Sequence, residues 1–174
     1  MVGDKKAMAR AIESKPQQPQ TVPLVPLRDI LLQAKAEVSE GVDPAKTLAL
    51  LRWPNQRGEE NRMVLHEVTK DEAILIDRLL GIPGIRQNAR DSKKNMPTHR
   101  YCEDGNVYAM AKMIMNGADI QSANDEGKTP ADKARDAGHY GLADFVDNLA
   151  TLPLEKRIAE IKKINFLISP LLRY

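Results

Sequence analysis

Asn116-Gly117-Ala118-Asp119-Ile120-Gln121-Ser122-Ala123-Asn124-Asp125-Glu126-Gly127-Lys128-Thr129-Pro130 decides the fold of this chain. The Gly117-Ala118-Asp119 step closes an apolar helix, because glycine accepts the positive φ of a helix C-terminus. Gly127-Lys128-Thr129-Pro130 opens the next helix. The Thr hydroxyl is an N-cap acceptor, and proline at the first helical position gives up only an N–H that had no partner. A stop, a short turn and a start lie within fifteen residues.

The unit recurs toward the N-terminus. Thr129-Pro130-Ala131-Asp132 is answered by Met96-Pro97-Thr98-His99, and that by Met63-Val64-Leu65-His66; each step is 33 residues. A fixed interval of this size marks stacked structural repeats. Over residues 55–150 the chain resembles the ankyrin-repeat family, carried by Asn116-Gly117-Ala118-Asp119, Gly127-Lys128-Thr129-Pro130 and Gly138-His139. The resemblance implies an all-α solenoid of about three helix-turn-helix repeats with helical caps at both ends.

The organisation follows. Residues 1–26 form an N-terminal arm and Pro-rich linker, in which Pro16, Pro19, Pro23 and Pro26 favour an extended spacer over an SH3-type ligand. Residues 27–54 form an N-terminal capping pair. Leu27, Ile30, Leu31, Ala34 and Val38 lie on one helical face, and Leu32 falls 33 residues before Leu65, in phase with the repeats. Asp43-Pro44 starts a second helix toward Arg52, with Leu48, Leu50 and Leu51 apolar, and Trp53 packs at the cap. Residues 55–150 hold the repeats. Their inner helices are expected at Val64–Lys70, Pro97–Asp104 and Pro130–Ala137, and their outer helices at Glu72–Leu80, Val107–Met115 and Tyr140–Leu149. Residues 151–174 are a C-terminal helix and tail. Leu154, Ile158, Ile161, Ile164 and Ile168 form its stripe, expected to cover Leu142, Phe145 and Val146.

The middle repeat departs most from the family pattern. Lys94 replaces a glycine and Met96 a capping Thr, each at a cost of about 1 kcal/mol. Thr98 replaces an inward Leu and is expected to bond back into its own helix.

Composition narrows function. The 26 basic and 24 acidic residues leave a net charge of +2, too little to draw nucleic acid or an anionic membrane. Aromatics at 4% are too sparse for base stacking. A single cysteine, Cys102, excludes an intrachain disulfide and thiolate metal clusters. No apolar run approaches transmembrane length, and the start lacks a secretory apolar core, so we expect a cytoplasmic protein.

No phosphate loop, nucleophile elbow, zincin or EF-hand pattern occurs. His66, His99 and His139 are spread along the repeats, and the resemblance gives the motif His a structural hydrogen bond rather than a metal or a proton-transfer role. Cys102 reads as a core thiol. We therefore expect no catalytic residues, no metal and no cofactor.

The resemblance implies recognition of a protein partner on a concave face made of turn tips and inner helices. On this chain the tips are Arg62, then Ser92, Lys93 and Asn95, then Asp125, Glu126 and Lys128. The inner-helix positions are Glu67 and Lys70, Arg100 and Glu103, Lys133 and Asp136. The expected function is non-catalytic protein–protein recognition, as an adaptor, scaffold or inhibitory subunit. The alternatives are a structural protein that forms a homodimer through its C-terminal helix, and a bacterial effector delivered into a host cell to act on a host protein.

Overall fold

The computed structural model describes residues 27–48 and 57–168. The Pro-rich arm, Leu50, Leu51, Trp53 and the tail beyond Ile168 lie outside the described residues. Every regular element among the described residues is helical: α1 (Leu27–Ser39), α2 (Ala45–Leu48), α3 (Val64–Glu67), α4 (Ile76–Leu80), α5 (Pro97–Glu103), α6 (Val107–Met115), α7 (Pro130–Asp136), α8 (Tyr140–Ala150) and α9 (Leu154–Ile168), with 3-10 turns at Glu59–Asn61 and Lys70–Leu75. None of these helices is long and apolar enough to cross a membrane.

The sequence explains the helix starts. Pro97 and Pro130 take the first turns of α5 and α7. The Asn106 side chain caps α6 by accepting from Ala109 N at 3.0 Å. The first helices pack side by side, α5 against both α3 and α7, while α6 packs on α4 and α9. One apolar core runs through them, from Leu31 and Leu65 through Tyr101, Met110 and Met113 to Ala134, Val146 and Ile161.

Four expectations are corrected. First, Leu32 is not equivalent to Leu65. Leu32 is 46% exposed, whereas Ile30, Leu31 and Ala34 carry the buried face of α1. One residue turns a helix by about 100°, so a one-residue offset in phase moves a side chain off the core face.

Second, α3 ends at Glu67 and Lys70 begins a 3-10 turn. Glu72 is the cause. Its carboxylate, 1% exposed, accepts from Thr69 N and Thr69 Oγ1, both at 3.1 Å, and from Arg28 at 2.6 Å. Three donors on one oxygen hold the chain in a turn where a helix would otherwise run on. Arg28 also donates to Glu67 O at 3.1 Å, which ties α1 to the end of α3.

Third, Thr98 does not bond within its own helix. Its hydroxyl donates to Asp119 O, 21 residues on, at 3.2 Å, and so satisfies a carbonyl in the loop after α6. Fourth, the principal packing of α9 is on α6 rather than on α8. Ile161 is fully buried there, and Leu154 reaches the turn at Gly117.

The turn between α5 and α6 places Gly105 at φ +65°, and a Cβ there would meet the His139 ring at 2.7 Å. Gly127 has φ +73° with no atom in the way. Gly127→Ala should therefore cost about 1 kcal/mol of backbone strain, and Gly105→Ala about 1–2 kcal/mol more. Urea unfolding measures both. The excess at Gly105 should disappear when His139→Ala is added to each variant; an excess that survives would refute the ring contact as its cause.

Candidate functional site

The turns that precede α3, α5 and α7 share one hydrogen-bonded form. Gly58 N donates to Arg62 O at 2.7 Å, Asp91 N to Asn95 O at 2.9 Å, and Asn124 N to Lys128 O at 2.9 Å. In the second turn Asp91 Oδ1 accepts from Lys93 N and Asn95 N, both at 2.8 Å. In the third, Asn124 Oδ1 accepts from Glu126 N at 2.9 Å and Lys128 N at 3.0 Å. Such Asx turns close a tip without help from a neighbouring strand. Each tip holds left-handed backbone: Glu60 at φ 51° and Asn61 at φ 62° in the first, Lys94 at φ 57° in the second and Gly127 at φ 73° in the third. The strain expected at Lys94 is present.

Successive tips are bonded to each other. Ser92 N donates to Glu60 O at 2.8 Å, and Asp125 N to Lys93 O at 3.1 Å. Asn124 Nδ2 donates to Asn95 Oδ1 at 2.8 Å. The three tips therefore make one continuous edge.

The buried histidines set that edge on the helices. His66 Nδ1 accepts from Met63 N at 3.2 Å, and its Nε2 lies 3.0 Å from Asn95 O. His99 repeats this, with Nδ1 3.1 Å from Met96 N and Nε2 3.1 Å from Lys128 O. An acceptor Nδ1 beside an N–H and a donor Nε2 beside a carbonyl define the neutral ring. Each ring thus caps its own helix and holds the following turn. Asp132 takes the same place in α7, where its carboxylate accepts from Thr129 N at 2.9 Å and Thr129 Oγ1 at 2.8 Å. Those two bonds hold its carboxyl below the usual range. No further tip of this form follows α7 among the described residues, so an acceptor suffices there.

Two arginines that carry no recognisable motif add a second staple. Arg57 donates to Asn61 O at 2.9 Å and to Arg90 O at 3.0 Å. Arg90 donates to Lys94 O at 3.3 Å and to Ala123 O at 3.0 Å. The 33-residue interval between them was the available signal.

The thirteen residues expected to face a partner divide by what holds them. Ser92, Lys93, Asp125 and Glu126 are exposed at the tips. Asn95 is occupied by the turn ladder, with Asp91 and Asn124 on its side chain. Arg62, half-buried, pairs with Glu60 and, at 3.9 Å, with Glu67. Lys133 of α7 reaches Glu103 of α5 at 3.0 Å, Lys128 pairs with Asp136 at 3.3 Å, and Lys94 bridges to Asp125 at 2.5 Å. Lys70 is exposed beyond the end of α3. Arg100 is half-buried, and its Nε has no acceptor among the described residues. Glu60 and Lys94 belong to this face and escaped sequence reasoning, since the tip pairing that brings them in is made by backbone atoms.

Cys102, His66 and His99 serve the packing of the helices and turns. Cys102 is buried, and desolvation, with Asp147 behind it, pushes its thiol up to about 12. His66 and His99 have both ring nitrogens engaged. No group of three or more His, Cys, Asp or Glu side chains among the described residues is placed to hold a metal.

The chain matches no protein-family model. Nor does any curated protein match it.

Burial holds both histidines below their usual pKa of 6.5, although the carbonyl each bonds works the other way. The unfolded chain takes up protons as pH falls through ~6.5 while the folded chain does not. Stability is therefore full above 6.5 and lost progressively as pH falls toward the folded values. Urea unfolding at a series of pH values between ~7.5 and ~5 should show this slope, and His66→Gln with His99→Gln should flatten it. An unchanged slope in the double variant would assign it to other groups. Lys94→Gly relieves about 1 kcal/mol of strain and gives up an exposed ion pair worth at most about that, so it should be neutral to mildly stabilising by the same measurement. Clear destabilisation would mean the Lys94–Asp125 pair outweighs the strain.

Proposed function

We propose that this chain is an ankyrin-type solenoid of three repeats that works as a non-catalytic protein-recognition module. The surface formed by the turn tips and first helices is its binding face. The bonded edge from Glu60 through Ser92 and Lys93 to Asp125 carries this reading. Surface loops ordinarily move independently. Here the tips are fixed to one another and, through His66 and His99, to the helices behind them. A polar surface held rigid in this way loses little conformational freedom on binding, and that suits recognition of another protein.

The charge pattern fits the same reading. Acidic and basic side chains are mixed on the face, an arrangement that sets specificity and encounter rate more than raw affinity. The engagement of Cys102, His66 and His99 in the core speaks against a nucleophile or a general base at these positions.

Affinity capture with the full chain tests the proposal, run beside the variant Arg100→Glu, Lys133→Glu, with hydrogen exchange on the complex. We expect a partner that the variant loses and that protects the turns at 92–95 and 125–128. A partner retained by a folded variant, or protection confined to α1 or α9, would move the binding site off this face.

A further inference from the structure

The pairing of charges on this face is incomplete, and what remains is basic. Arg62 is held by Glu60 and Glu67, Lys94 by Asp125, Lys133 by Glu103 and Lys128 by Asp136. Among the described residues of the face, Lys70, Lys93 and Arg100 keep no ionic partner, and Glu126 is the one acid likewise left over. Glu126 sits on the third tip, beside Asp125, whose N–H donates to Lys93 O. Of the unmatched cations, Lys93 is on the second tip, Arg100 on the helix it leads into, and Lys70 beyond the end of α3.

Arg100 is the centre of this patch. It lies on α5, half-buried, and its Nε is buried without an acceptor. Arg62 has the same unmet Nε, although its terminal nitrogens are paired. Both guanidiniums are near enough to His66 to disfavour its protonation. A half-buried guanidinium with no anion has lost part of its hydration and gained nothing in exchange. A planar carboxylate that approaches from solvent would meet the terminal nitrogens of Arg100 in bidentate geometry. Of the acids near it along the chain and on the neighbouring helix, Glu103 pairs with Lys133, Asp104 caps the end of α5, and Glu67 is turned toward Arg62.

We infer that the partner presents an acidic segment, with carboxylates seated on Arg100 and Lys93 and extending toward Lys70. The inference rests on the face being a protein-recognition surface. It adds the chemistry of what is recognised. The internal ion pairs frame the site, because they neutralise its flanks and leave the positive potential over the first two turns.

The test uses the full chain and three labelled peptides of one length on one Gly-Ser background, with Glu, Gln or Lys at every third position. Fluorescence anisotropy gives affinity, and amide NMR shifts give location. The Glu peptide should bind and shift residues 92–103, more weakly as salt rises. Arg100→Gln should weaken it by about tenfold, the equivalent of one lost charge-assisted contact, and Lys93→Gln by less. Lys156→Gln with Lys162→Gln, exposed on α9, should leave it unchanged. Undiminished binding to Arg100→Gln, shifts confined to α9, or no binding of the Glu peptide would each overturn the inference. Should the Gln or Lys peptide shift these same turns instead, or the capture experiment return a partner on this face with no acidic segment, the recognition reading would stand and the acidic one would fall. Failure of both experiments would remove both readings.

Discussion

Everything in the described structure depends on a neutral imidazole held between two backbone groups. In α3 and α5 the ring accepts an N–H from its own helix cap and donates to a carbonyl of the next turn, 29 residues ahead. The ring is buried, so both bonds are needed. A buried donor or acceptor left unmade costs about 1–3 kcal/mol, whereas a made bond gains only about 1. This asymmetry makes the histidine a specifier of geometry more than a source of stability. If the next turn shifts by one residue, Nε2 faces no carbonyl. The period of the chain is thereby written into a side chain that measures the distance between consecutive turns.

The arginines and the tips follow from this. With the turns fixed at one spacing, Arg57 and Arg90 can each close their own turn and reach the next with a single nitrogen. The tips come close enough for Ser92 and Asp125 to donate backward to the preceding turn. Asp91 and Asn124 then fold each tip locally, so no tip needs strand partners. The strain at Asn61 and Lys94 is tolerated because the turn is fixed from several sides at once.

The interval was legible in the sequence because it is marked by residues with one physical use each. Pro97 and Pro130 start helices, Gly117 and Gly138 end them, and His66 and His99 sit three residues after a cap. The all-α class followed from those marks, the structural hydrogen bond of the histidines from the resemblance they carry, and the buried Cys102 from its inward place beside Tyr101. What stayed hidden lacked such a residue. Leu32 against Leu31 is a matter of one helical step, and no punctuation fixes the phase of α1 to that precision. Glu72 looked like an ordinary start to a helix, and only the approach of Arg28, 44 residues earlier, turns it into a buried anchor. Thr98 has a hydroxyl that could satisfy either its own helix or a neighbour, and the choice depends on where Asp119 O comes to rest. Of the candidate face, the residue types were legible and the pairing was not. Charge patterns in one dimension do not say which lysine meets which carboxylate.

That pairing also bears on how α9 is understood. As sequence, its apolar stripe favours a capping helix, with a dimerising helix as the alternative. In the structure Ile161 is spent on the core against α6, and Arg157 donates to Ala150 O at 3.1 Å and Leu152 O at 2.7 Å, which anchors the start of the helix to the end of α8. Leu154 and Ile164 are the large apolar side chains of α9 left exposed among the described residues. A stable dimer buries on the order of 800 Å² per partner around a continuous apolar centre. Leu154 and Ile164 are two separated points of such a centre, and the side chains of α9 beyond Ile164 lie outside the described residues. The turn face presents a rigid polar edge and cations left without an ionic partner among the described residues. On the reading proposed above, those cations are where another molecule seats.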